Sequence, residues 1–227
     1  MLKVENTETF GWEAAFRGAR NPMNSWDKSD SWWASEYETG ADECMYILGE
    51  NDMKLAQSLV VGGPDHRKFL RMIHVQTDVT APLYWWKEVS TYKVGTVANS
   101  CSTMHKIHAK EFTLDDFSHE HLTGKTDGLW VNADGKYFMC SAWDFCQITC
   151  DVLNHYRKLY LETKDKTYWW QLIQLLPSSY NQRRTLDLNY EVLRNIYHAR
   201  KNHRLDEWRT FCAWIETLPY AEELICT

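Results

Sequence analysis

Histidines and cysteines are the first side chains here whose type and spacing could do chemistry. His105-x-x-His108, His119-x-His121 and the set Cys140, Cys146, Cys150 could in principle ligate zinc. No Cys-x-x-Cys occurs and no two ligand pairs stand at finger spacing, so no metal is expected. A Cys–His nucleophile would need a cysteine in a distinctive context, and none of the seven has one. Gly-rich phosphate loops, dinucleotide fingerprints and nucleophile elbows are absent. What remains is a long-range pattern. His66 precedes Pro82 by sixteen residues; a Ser/Thr/Asn-rich stretch runs from Ser90 through Ser102; Leu176-Pro177 leads, twelve positions on, to Asn189, then Asn195 and Arg200. Taken singly each is ordinary: an Arg at a helix end suits the macrodipole, Ser102 suits a polar turn, and His66 follows Gly-Gly-Pro-Asp.

The elements that would hold these residues can be read from periodicity. Asn51 and Asp52 are candidate caps for a helix through Leu55, Leu59 and Val60, stopped by Gly62-Gly63-Pro64. Arg71 to Val79 alternates in the manner of a strand. Thr80-Ala81-Pro82 suits a helix opening, and Leu83 to Glu88 continues as a short aromatic helix. Ser90 to His105 reads as a loop with hydroxyls and amides for ligands. Asp134-Gly135, between Gly128 and Phe145, marks a tight turn of a small hairpin. Apolar residues then recur at three and four from Ile148 to Tyr160, from Trp169 to Leu176, from Leu186 to Arg200, and from Trp208 to Leu218.

The order of these features resembles the flavin-dependent thymidylate synthases, the ThyX family. There a strand and an Ala-Pro-opened helix precede the signature Arg-His-Arg-x-x-Ser-x-Asn-Glu-x-Ser-x-Arg, and a Leu-Pro turn and an Asn…Asn…Arg helix build the other wall. The likeness spans roughly residues 64–104 and 172–220. It departs from the signature at several points. Thr91-Tyr92-Lys93 stand for Arg-His-Arg, Thr96 for Ser, Ser100 for Glu and Met104 for the last Arg, with one residue inserted before Asn99; Ser102 is kept. The resemblance implies an α/β (α+β) fold, a sheet flanked by long helices with a helical C-terminal half, assembled as a homotetramer with shared sites. It implies that His66, Thr91, Lys93, Asn99 and Asn195 face FAD, that Ser102 bonds deoxyuridine monophosphate (dUMP), and that Arg200 faces the uracil as the catalytic cation. NADPH and methylenetetrahydrofolate would be co-substrates of a C5 methylation. Because two guanidinium groups of the signature are missing, FAD is expected to bind weakly or to be lost.

Composition frames this reading. Hydrophobic residues make up 44% and charged residues 25% of 227, as expected of a globular chain rather than a disordered one. With no repeat or linker, residues 1–227 are expected to form one domain, with residues 105–147 an insertion that has no counterpart in the family pattern. A net charge of −6 without a basic stripe argues against nucleic acid. No apolar run reaches membrane-span length, the opening MLKVENTETF lacks an apolar h-region, and the odd cysteine count suits reduced thiols, so a cytoplasmic location is expected. Twelve Trp and twelve Tyr call for flat surfaces to cover, in the core, a subunit interface or a planar ligand. Three functions follow: an enzyme acting on a pyrimidine nucleotide, a non-catalytic nucleotide-binding module on the same scaffold, or a structural oligomer.

Overall fold

The computed structural model describes residues 2–35 and 45–227. Cys44 lies outside them. The chain divides into two compact units. One comprises residues 1–3, 79–91 and 99–184, the other residues 4–78, 92–98 and 185–227. Strands β1 (Lys3–Phe10), β4 (His74–Pro82), β8 (Asn181–Asn189) and β5 (Val97–Ser100) form a four-stranded sheet in the spatial order β1-β4-β8-β5. Among the described residues two further two-stranded antiparallel sheets form, β2 (Trp32–Ala34) with β3 (Met45–Ile47) and β6 (Trp130–Ala133) with β7 (Lys136–Met139). The fold is mixed α/β, with the sheet flanked by helices, as the sequence leads one to expect.

The larger unit, residues 4–78, 92–98 and 185–227, contains α1 (Trp12–Arg20), α2 (Glu50–Val61), α6 (Tyr190–Arg200) and α7 (Asp206–Glu216). Its centre is aromatic. Trp12 meets Tyr190 and Tyr220 edge-on, with ring centroids 5.1 and 5.6 Å away, and Phe16 meets Phe69 at 5.6 Å. Burying such rings supplies much of the apolar stabilisation of a fold. Strand β4 enters this core by alternation, with Val75 and Thr77 buried between more exposed His74, Gln76 and Asp78.

The other unit carries α3 (Leu83–Val89), α4 (Ala142–Thr163) and α5 (Lys166–Leu175). Ile107, Phe112, Phe117, Cys150, Leu153 and Leu172 close its core. Ser141 opens α4 with a reciprocal capping box, its Oγ accepting from the Asp144 N–H while Asp144 accepts from the Ser141 N–H. Lys164 ends α4 in the left-handed region at φ 58°, and Asp165 at once caps α5. The hairpin at Asp134-Gly135 forms as the dipeptide implies, with both residues at positive φ, 50° and 77°.

Several boundaries differ from the sequence reading, each for a local reason. Asn51 and Asp52 do not cap α2. The Asp30 carboxylate reaches across to accept from both their N–H groups, and Asp52 turns inward to Arg20. The stretch from Ser90 is not all loop, because residues 97–100 pair into the sheet as β5. Leu186 to Asn189 belong to β8 and not to a helix that starts at Leu186. Gln182, Leu186 and Leu188 are buried at period two, and the helix begins only at Tyr190, capped by the Asn189 side chain. No helix among the described residues is long and apolar enough to cross a membrane.

Candidate functional site

Ser102 follows the last residue of β5 by two positions, and its loop is fixed to β8. The Cys101 N–H donates to the Arg183 carbonyl at 2.9 Å, and the buried Gln182 amide donates to the Cys101 carbonyl at 2.6 Å. Behind them, Trp86 of α3 donates its indole N–H to the Gln182 carbonyl at 2.9 Å, and Arg184 stacks over that indole at 4.3 Å. Burial lowers the proton affinity of Arg184 but leaves it a cation. The Ser102 Oγ accepts from the His105 and Met104 N–H groups at 2.9 and 3.2 Å, turning the chain so that Lys106 and Lys110 come back beside it.

Ser102 lines two cavities of about 310 Å³ each, which share Cys101, Lys110 and Tyr180 in their walls. The first adds Lys106 and the apolar Ile107 and Phe112. The second is polar, adding Asp116, Asn181 and Arg183. Lys110 reaches the Asp116 carboxylate, which also accepts from the Thr113 N–H at 2.9 Å. Burial, with Asp116 and Cys101 nearby, pushes the Tyr180 phenol above its usual range, so it is neutral at physiological pH. The Asn181 Oδ1 is buried without a hydrogen-bond partner, although its Nδ2 donates to the Asp115 carbonyl at 3.3 Å. Three cations (Lys106, Lys110 and Arg183), two carboxylates (Asp115 and Asp116), a hydroxyl and an unsatisfied carbonyl oxygen therefore line one pocket system, with one positive charge in excess. That set can hold an anion and accept a bond from an imide N–H.

Arg200 closes α6. Its Nε donates to the Tyr92 hydroxyl at 3.0 Å, and its guanidinium lies 5.0 Å from the Trp208 ring and 5.8 Å from the Tyr92 ring. It is half-buried in an aromatic bracket, which a cation serving only the helix terminus would not need. The bracket depends on the loop before β5. Gly95 has φ +77°, and a Cβ there would fall 2.7 Å from the Asn189 Nδ2 and 3.2 Å from the Val192 Cγ2. The Asn189 side chain caps α6 by accepting from the Val192 N–H at 3.0 Å and donates to the Gly95 carbonyl at 3.4 Å. The same loop thus meets α6 near its start and at its end.

The other expected site residues are exposed. His66 lies in the turn after α2, its N–H on the Gly63 carbonyl. Thr91 lies in the turn just after α3, its hydroxyl donating to the Glu88 carbonyl at 2.8 Å. Lys93 sits in the loop, Asn99 on β5 and Asn195 on α6, five residues before Arg200 and about 140° around the helix. Ser102 and Asn99 thus share one strand and loop, and Tyr92, next to Lys93, meets Arg200. Sequence reasoning missed Lys106, Lys110, Tyr180, Asn181 and Arg183. The signal was there in Arg183-Arg184 and in the Lys106/Lys110 pair after Ser102, but it needs β8 recognised as a strand to have meaning.

No family model matches the chain, and no curated protein does. Solved structures do. Thymidylate synthase X (ThyX) from Helicobacter pylori, with FAD and dUMP, is 16% identical, with a TM-score of 0.65 over 99% of this chain and 97% of that one. A second structure of that enzyme with the same two ligands gives 16% identity and a TM-score of 0.64 over 98% and 97%. The UMP/dUMP methylase PolB from Streptomyces cacaoi, bound with 5-Br dUMP, is 14% identical, with a TM-score of 0.56 over 100% and 94%. At these identities the likeness is one of fold, and on that ground the chain has a ThyX-like fold.

Proposed function

We propose that this chain binds a pyrimidine nucleotide, with dUMP as its best candidate, in the paired cavities at Ser102. The observation that carries the reading is the convergence there of Ser102, Lys106, Lys110 and Arg183 with the unpartnered Asn181 Oδ1. A nucleotide phosphate suits the cations and the serine hydroxyl, and the uracil imide N–H suits the asparagine oxygen. The neighbours that share the fold are described with dUMP or 5-Br dUMP bound, which supports the same ligand class here.

The resemblance further supports a reaction at C5 of the base, with Arg200 placed against the uracil to stabilise charge developing on the ring. In a homotetramer with shared sites, Arg200 would serve through such sharing. FAD, NADPH and methylenetetrahydrofolate would be the co-reactants. The residues at the flavin signature do not fit a tight phosphate grip, however. Thr91 spends its hydroxyl on the Glu88 carbonyl, Tyr92 accepts from Arg200, and Lys93 alone offers a cation. No step is therefore derived through the flavin. That mismatch favours the nucleotide-binding module over the full enzyme. His66, Asn99 and Asn195 stay proposed as flavin contacts, the whole chain as one ThyX-like domain with residues 105–147 inserted, and the cytoplasm as its location.

Titration calorimetry with dUMP tests the reading. Ser102→Ala and Lys110→Ala should each weaken binding by about fivefold or more, the loss of one hydrogen bond to a charged group. No binding by the unaltered protein, or affinity unchanged in both variants, would refute the site. The same preparation mixed with FAD and gel-filtered should come out colourless. A stable 26.9 kDa monomer in light scattering would remove the tetramer.

A further inference from the structure

A second constellation lies on α1, and the nucleotide reading makes no use of it. Glu13, Arg17 and Arg20 stand at i, i+4 and i+7, so they share one helix face over about 10 Å. All three line a cavity of about 360 Å³, and Trp26, Trp32 and Trp33, each about half exposed, line it with them. Arg20 is 4% exposed. Its Nε donates to Asp52 at 2.6 Å and its Nη1 to the Ser25 carbonyl at 3.2 Å, but its Nη2 is buried with no hydrogen-bond partner. A buried donor left unsatisfied is costly, and such groups mark places where a partner belongs. Glu13, on the same face, accepts from the Trp33 indole N–H at 3.2 Å and lies 3.8 Å from Arg17. Its side chain is 62% exposed, so it has room for a further donor.

The charges decide what kind of ligand fits. Asp52 balances Arg20 and Glu13 balances Arg17, so a bare anion gains little net attraction. A neutral ring that both accepts and donates along one edge gains at both Arg20 and Glu13, and indole faces suit its plane. We propose that this cavity is a second small-molecule site, for a planar heterocycle with a lactam edge. The ring carbonyl would accept from Arg20 Nη2, the exposed and flexible Glu13 side chain would take an N–H further along the same edge, and the ring face would lie against the tryptophans.

Guanosine and adenosine 5′-monophosphates test this directly. They share ribose and phosphate, but only the guanine ring carries a lactam. Calorimetric titration of the full chain should give an affinity for the guanine nucleotide about tenfold or more above that for the adenine nucleotide, the value of one charge-assisted bond. Glu13→Ala and Trp32→Ala should each lose that preference while melting like the unaltered protein. Arg20 is left intact because its loss would break a buried ion pair. Ser102→Ala should keep guanine binding in full, which separates this site from the dUMP site. Equal affinity for the two nucleotides, no binding of either, full displacement by inorganic phosphate alone, or an undiminished preference in Glu13→Ala would each overturn the proposal.

Discussion

Replacing Asp52 by Asn should be among the most damaging isosteric changes the chain can suffer. The carboxylate is wholly buried, Arg20 is nearly so, and one carboxylate oxygen takes the Arg20 Nε at 2.6 Å. The other takes the Ser29 and Ser31 hydroxyls at 2.7 and 2.6 Å. An asparagine keeps one acceptor and turns the other into a donor, which must then face either a guanidinium or two hydroxyl donors. Removing one charge of a buried pair costs about 3–5 kcal/mol because the remaining charge stays uncompensated. With a urea dependence of about 2 kcal/mol per molar, the unfolding midpoint should fall by roughly 1.5–2.5 M. A pH series adds a second reading. Burial pushes the Asp52 carboxyl up, but the bonds from Ser29, Ser31 and Arg20 and the Arg20 charge outweigh it, leaving it below the ordinary value of 3.8. Its contribution is therefore complete above the unfolded-state pKa and is lost as pH falls through the lower folded-state value. Acid should weaken the unaltered protein more than Asp52→Asn. A midpoint shift worth less than about 1 kcal/mol would refute the reasoning, since no buried pair is broken so cheaply.

Other expectations rest on single contacts. Arg200→Lys loses the Nε bond to Tyr92 and the planar stack on Trp208, and should cost about 1–2 kcal/mol in thermal unfolding; an unchanged melt would mean that the bracket holds nothing. Cys101 is exposed and lines both cavities at Ser102, so dUMP should slow its alkylation by iodoacetamide several-fold in peptide mapping; an unchanged rate would place the nucleotide elsewhere. His108 has its pKa lowered from 6.5, by burial first and then by Lys164, Lys106 and Arg157. The unfolded chain thus binds its proton more readily, and stability should decline as pH drops below about 6.5, less so in His108→Gln. Equal acid sensitivity in the two proteins would exclude His108 as a source.

The helices were the legible part of this fold, because Leu193, Ile196 and Tyr197 on α6, and Trp208, Phe211, Cys212 and Ile215 on α7, recur at the three- and four-residue spacings that a helix buries on one side. Strand β8 was hidden. Its period-two set of Gln182, Leu186 and Leu188 mixes an amide with two leucines, and the leucines also fit the helix that follows. With β8 unread, Asn181 and Arg183 had no partner loop, and the cations beside Ser102 stayed unconnected. Ser102 and Arg200 could be picked out because they stand at positions of the ThyX pattern. The Arg20–Asp52 pair could not. Its members are 32 residues apart, no periodicity links them, and Asp52 at a helix opening looks like a cap.

Gly95 shows how surface exposure can mislead about mutational tolerance. The residue is exposed, and in a saturation library it would be filed with the permissive loop positions. Any L-amino acid there must adopt a left-handed backbone and also push its Cβ into the capping amide of Asn189 and the methyl of Val192. The damage would travel along α6: a displaced Asn189 uncaps the first turn, and a shifted loop carries Tyr92 away from Arg200 at the last. A fitness map of this chain would therefore show a sharp hole at an exposed position, with substitutions at Asn189 and Tyr92 sharing part of its profile.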